Sequence, residues 1–202
     1  MKFLNFLNRV LPLLFWLLLI FSFDTALFGI MTLLAAIIHE LGHFSFGLFS
    51  GKLSIFPHPT GLRIKSSTVK SYKAEALLIA GGPIFSFLFA LIFYLASSFE
   101  ILKDYFSLFS VINLLTGLSN LMPIDGYDGY KLCECFLFSH SKNPDKAYRI
   151  LFYLSFYFTY ILLLFSLYLI LKIGEGYWIF GVLFSAFILS LKKLTQNGIS
   201  RE

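Results

Sequence analysis

The sequence predicts an all-α polytopic membrane protein of about six transmembrane helices, with a short β-hairpin or edge strand on one face. Three observations predict it. Of the 202 residues, 58% are hydrophobic and only 13% charged, more apolar surface than a soluble domain of this length can hide. Six segments approach the roughly 20 residues that a helix needs to cross a bilayer core. Two further stretches, 57–73 and 122–132, are broken by proline and glycine and read as non-helical.

The first two spans share residues 10–49, with Asp24 near the turn between them. The N-terminus "MKFLNFLNRVLPLLFWLLLIFSF" has the charged start of a signal peptide. It lacks a clear small-residue cleavage site and another apolar span follows at once, so it reads as a retained first helix. The third span is "AEALLIAGGPIFSFLFALIFYLA" (74–96), and the fourth is "YFSLFSVINLLTGLSNLM" (105–122), which stops before Pro123. The fifth covers about 148–171 and the sixth about 177–191. Between the second and third spans, Leu62, Arg63, Ile64 and Lys65 alternate apolar and polar, the period of a strand or hairpin. The length suits one compact unit over 1–202.

Charge placement orients these spans. With the N-terminus in the cytoplasm, fourteen of the 16 Lys and Arg fall on inside segments, and only Lys103 and Lys172 fall outside. The positive-inside rule then puts both termini in the cytoplasm. The net charge of +5 is thereby explained by topology, and no nucleic-acid partner is expected. Cys133 and Cys135 form a lone C-E-C, too close for a structural disulfide and too few for a scaffold; they read as reduced thiols, with metal binding as the weaker alternative.

The second span contains "HELGH" at 39–43, among Ile, Leu, Phe and Ala. An ionisable group at mid-bilayer costs about 2.5–3.5 kcal/mol on insertion scales, which makes these residues functional suspects. His39 and His43, four apart on a helix, share one face and can bind one zinc ion. Glu40 between them can activate a water and pass its proton to a leaving amine. A pair of satisfied core histidines is the bland reading, weakened in lipid because all three groups would need partners. Catalytic zinc usually has three protein ligands. His58 and His140 look like surface histidines, whereas Asp125 and Asp128 lie at the break 122–132, on the expected cytoplasmic side. A solvated Asp-Gly turn is the bland reading there.

"HELGH" followed some eighty residues later by "NLMPIDGYDG" resembles the site-2 protease family of intramembrane zinc metalloproteases. The family's second motif, N-x-x-P-x-x-x-x-D-G, is met in register by Asn120, Pro123, Asp128 and Gly129. The resemblance implies that Asp128 is the third zinc ligand and that Asn120 positions the substrate peptide or stabilises the oxyanion, which suits an amide in a water-poor site. The family's G-P-x-x-N motif is matched at Gly82 and Pro83, but Ser86 stands where asparagine is usual; close helix packing is the competing reading of Gly81, Gly82 and Pro83. The resemblance covers 30–132 well and the last two helices only as generic spans. Within the family the chain is most similar to the compact sporulation protease that processes a sigma-factor precursor; no PDZ or CBS domain fits in 202 residues.

The expected activity is that of a zinc metalloendopeptidase, hydrolysing a peptide bond in or near a transmembrane segment of a membrane-associated protein (regulated intramembrane proteolysis). Such a substrate must unwind, and Gly61, Leu62, Arg63, Ile64 and Lys65 could accept the extended peptide by edge pairing. The expected partners are that substrate, an inhibitory membrane partner and the lipid of a bacterial cell membrane. A non-catalytic membrane scaffold and a metal transporter are the competing readings. A scaffold has no need of Glu40, and a transporter would show several polar helices where the fifth and sixth offer little beyond Ser, Thr and Tyr.

Overall fold

The computed structural model describes the backbone at 26–50, 53–58, 61–66, 71–174, 180–181, 183–188 and 190–191. The first expected span lies outside the described residues, and the sixth lies partly outside them. The elements in order are α1 (Ala26–Ser50), β1 (Leu53–His58), β2 (Gly61–Ser66), α2 (Tyr72–Ala96), a 3₁₀ turn (Glu100–Leu102), α3 (Lys103–Asn120), α4 (Asp128–His140) and α5 (Pro144–Ile173). The chain divides into two compact units, Met1–Met122 and Pro123–Glu202.

Four helices among the described residues are long and apolar enough to cross a membrane: Leu27–Leu48, Tyr72–Ala96, Glu100–Asn120 and Pro144–Ile173. Their surfaces are those of an integral membrane protein. Leu48, Leu77, Leu91, Leu95, Ile161 and Leu171 are exposed, while His39, Ser86, Asn113, Asp128, Ser155 and Thr159 are buried. Water would reverse that distribution; lipid permits it, because polar groups must then be satisfied inside the protein. The hydroxyls of Thr32, Ser45, Thr116 and Thr159 bond the carbonyl four residues back on their own helix, which hides them from the apolar surroundings.

In the first unit α1, α2 and α3 pack on one another. Hydrophobic burial cannot drive helices together in lipid, so close packing must. Gly42 and Gly81 supply it: a Cβ on Gly81 would stand 2.6 Å from the Gly42 carbonyl oxygen. Ala35, Phe109 and Ile112 form a small core flanked by Met31, Ile38 and Phe93. Phe93 meets Phe109 edge-on at 4.6 Å between centroids. Helix α2 starts at Ser71, whose hydroxyl accepts the Lys73 N–H, and Glu75 in its first turn complements the helix dipole. β1 and β2 pair antiparallel, from Leu53↔Ser66 to His58↔Gly61. The residues expected to form a strand at 61–65 lie in β2, and β1, with Pro57 inside it, is its partner. A proline is tolerated in an edge strand, where its missing N–H faces no partner.

In the second unit α4 and α5 pack together. The break after Pro123 is shorter than expected. Tyr127 N–H closes a turn on the Ile124 carbonyl, Gly126 takes φ +100°, and helix begins at Asp128. A glycine-rich string reads as loop, yet Gly129 sits in a first helical turn, where its weak propensity matters little. Helix α5 starts at 144 rather than 148, because Asn143 caps the Lys146 N–H and Pro144 sets the first turn. It ends at Gly174, whose φ of +77° closes the helix in the left-handed region.

Candidate metal and catalytic centre

The histidines of HELGH sit on one face of α1, their rings edge-on at 4.9 Å between centroids and an interplanar angle of 85°. Both are held by one neighbouring helix, α2. His43 Nδ1 lies 3.1 Å from the Leu78 carbonyl oxygen, and His39 Nδ1 lies 2.9 Å from Ser86 Oγ. A proton on His43 Nδ1 bonds that carbonyl and leaves the lone pair on Nε2, the arrangement a metal ligand needs. The Gly82 N–H also donates to His43 Nδ1, at 3.3 Å, which serves the other tautomer, so α2 holds the ring through Nδ1 in both.

The ring faces that remain meet Gly82. A Cβ built there would stand 2.7 Å from His39 Nε2 and closer still to His43 Nε2. The two Nε2 atoms thus converge on space that the missing side chain leaves open. Nε2 atoms of an i, i+4 histidine pair, each ring braced through its other nitrogen, form the donor set of a zinc site. These residues fit a bound cation. Gly82, which from sequence could serve helix packing, is instead the wall of this space, and Gly81 is the packing glycine.

Glu40 lies between the histidines and is half-buried. Asn120 ends α3, where its Nδ2 donates one hydrogen to the Thr116 carbonyl at 2.9 Å. That bond is a helix-terminal one, and the amide keeps a second hydrogen for another acceptor.

In the second unit the two candidate carboxylates separate clearly. Asp128 is 5% exposed and opens α4, where the helix dipole favours an anion. Its Oδ1 accepts from Lys131 Nζ at 3.3 Å, one turn along. Asp125 is exposed, and its backbone N–H donates to Ser155 Oγ on α5 at 3.0 Å. Ser155 therefore anchors the turn that leads into Asp128, a role no motif announces. His140 is exposed at the end of α4, against Ser139 Oγ and the Phe136 carbonyl, and His58 closes β1. Cys133 and Cys135 form no disulfide among the described residues, and burial pushes the Cys133 thiol up, which disfavours the thiolate that metal binding needs. Gly61, Leu62, Arg63, Ile64 and Lys65 lie along β2, paired on one side with β1.

Among known proteins, the chain is similar to the solved structure described as "Site-2 Protease from Methanocaldococcus jannaschii", with a TM-score of 0.63 over 92% of this chain and 87% of that one, at 22% identity. The two share a fold. No protein-family model and no curated protein sequence matches the chain. At this identity the likeness bears on architecture, and the chemistry must be argued from the residues of this chain.

Proposed function

We propose that this chain is an intramembrane zinc metalloendopeptidase of the site-2 type, cutting a peptide bond in or near a transmembrane segment of a membrane-associated protein. One observation carries the reading: in a membrane-spanning helix, His39 and His43 have their Nδ1 atoms engaged by α2 and their Nε2 atoms turned to the space beside Gly82. A core histidine pair has no reason to present two ring nitrogens to one gap.

In this reading His39, His43 and Asp128 hold the zinc. The buried Asp128 carboxylate supports its own assignment over the exposed Asp125, because a ligand in a water-poor site must itself be buried. When bound, the ion supplies Lewis acidity to the scissile carbonyl and to water. Glu40 takes a proton from the attacking water and returns it to the leaving amine. The amide hydrogen of Asn120 not used by Thr116 is available to substrate or oxyanion. Among the described residues β2 pairs with β1 alone, and its other edge at 61–65 offers backbone groups to an unwound peptide. Unwinding is needed because a scissile carbonyl tied into a helix cannot be reached. The sporulation type, with its sigma-factor substrate, is the finer form of this reading, as are an inhibitory membrane partner and a bacterial cell membrane with both termini in the cytoplasm.

The test works without an identified substrate. Bacterial membranes carrying the native chain or Glu40→Gln are compared for new peptide termini inside apolar segments. Termini found with the native chain alone support the proposal. An identical set from both removes Glu40 from catalysis and favours a scaffold.

A further inference from the structure

We infer that Ser86 is a positioning residue: its hydroxyl accepts the Nδ1–H of His39 and so fixes the ring's tautomer and orientation for cation binding. This rests on the metal-binding reading of HELGH given above. Ser86 is fully buried, 0% exposed, and its Oγ lies 2.9 Å from His39 Nδ1.

Among the described residues a hydroxyl crosses from one helix to another at Ser110, which donates to the Ala90 carbonyl, and at Ser86. Thr32, Ser45, Thr116, Thr159 and Ser190 each turn the hydroxyl back to the carbonyl four residues earlier on their own helix. That bond is the ordinary resting place of a hydroxyl in a helix facing lipid. Ser86 instead spans two helices to reach a histidine.

Proton accounting then sets the direction. A neutral imidazole carries one N–H. If Ser86 donated to Nδ1, the ring proton would sit on Nε2, and His39 could not use that nitrogen as a ligand. If Ser86 accepts, Nε2 is bare, the same arrangement that a bond from Nδ1 to the Leu78 carbonyl gives His43. One helix therefore sets both rings, with a carbonyl at Leu78 and a hydroxyl at Ser86. The hydroxyl hydrogen that remains on Ser86 needs an acceptor. Asn113 Oδ1 on α3 is fully buried with no donor against it, and it lies one turn from Gly117, where a Cβ would stand 3.1 Å from Ser86 Cβ. The same tight contact limits position 86 to a small side chain.

The experiment uses the full-length protein in detergent, metal-free and then titrated with zinc against a chromophoric chelator, with cobalt as the spectroscopic probe. Ser86→Ala removes the acceptor, and Ser86→Cys keeps the side chain's shape, slightly larger, with a weak one. Loss of a bracing partner to a metal-bound histidine typically weakens metal about 10–100-fold. The expected result is a loss in that range for both variants, with a changed cobalt absorption spectrum, while the metal-free protein stays folded. Should Ser86→Ala not fold, Ser86→Cys is read alone. Native zinc affinity and a native cobalt spectrum in Ser86→Cys would overturn the inference and leave the metal site standing. A native chain that binds neither ion would instead overturn the metal-binding reading, and this inference with it.

Discussion

Gly82→Ala is the smallest change that should empty the proposed centre. The added Cβ would come to 2.7 Å from His39 Nε2 and still nearer to His43 Nε2, where ordinary contact begins at 3.4 Å. Restoring contact at His39 alone needs a displacement of about 0.7 Å, against the roughly 0.2 Å within which metal–ligand distances are held. The ring cannot simply swing away, because Ser86 holds its far nitrogen and Leu78 holds that of His43. Zinc affinity should therefore fall by at least about 100-fold, the upper end of what losing a mere bracing partner costs. Chelator competition on purified protein reads this directly. Gly181→Ala is the control, since a Cβ there meets nothing within 4 Å, and it should bind zinc as the native chain does. Native affinity in Gly82→Ala would show that the space beside Gly82 is not where a cation sits.

Two further outcomes follow from packing in the first unit. Gly81→Ala places a Cβ 2.6 Å from the Gly42 carbonyl oxygen, a backbone atom that cannot rotate aside, so the helices must separate. Overpacking of this kind costs about 1–3 kcal/mol, and the thermal midpoint of the metal-free protein should drop by several degrees; an unchanged midpoint would contradict the close approach of α1 and α2. Asn113→Leu removes the buried acceptor that faces the remaining hydrogen of the Ser86 hydroxyl. Leaving that hydroxyl unsatisfied costs on the order of 1 kcal/mol or more, so the midpoint should fall by about 2–4 °C, and an unchanged midpoint would mean that the Ser86 hydroxyl hydrogen goes elsewhere.

The parts of the site legible in sequence were those set by spacing along one chain. HELGH needs only the 3.6-residue period to put His39 and His43 on one face, and the edge-on contact between their rings adds nothing that this period did not imply. The apolar runs announce the spans because lipid demands them. What the sequence could not carry were bonds between helices. Ser86 differs from the asparagine expected at its position, and only the facing ring of His39 shows what its hydroxyl does. Gly81 and Gly82 are adjacent and identical, yet one meets a backbone and the other two imidazoles. Asp125 and Asp128 look alike in a glycine-rich string, and the helix that starts at Asp128 buries one and leaves the other in the turn. The capped start of α5 at Asn143 was readable from Asn-Pro-Asp, whereas the bounds of β1, which runs through Pro57, were not.

Everything proposed for this chain turns on His39, His43 and Asp128 holding one zinc ion. Metal content of the purified native chain, Asp128→Ala and Asp125→Ala, measured after equal exposure to zinc, tests it most directly. About one zinc per native chain is expected, retained in Asp125→Ala and lost or sharply weakened in Asp128→Ala. No zinc in the native chain, or equal zinc in all three, would contradict it.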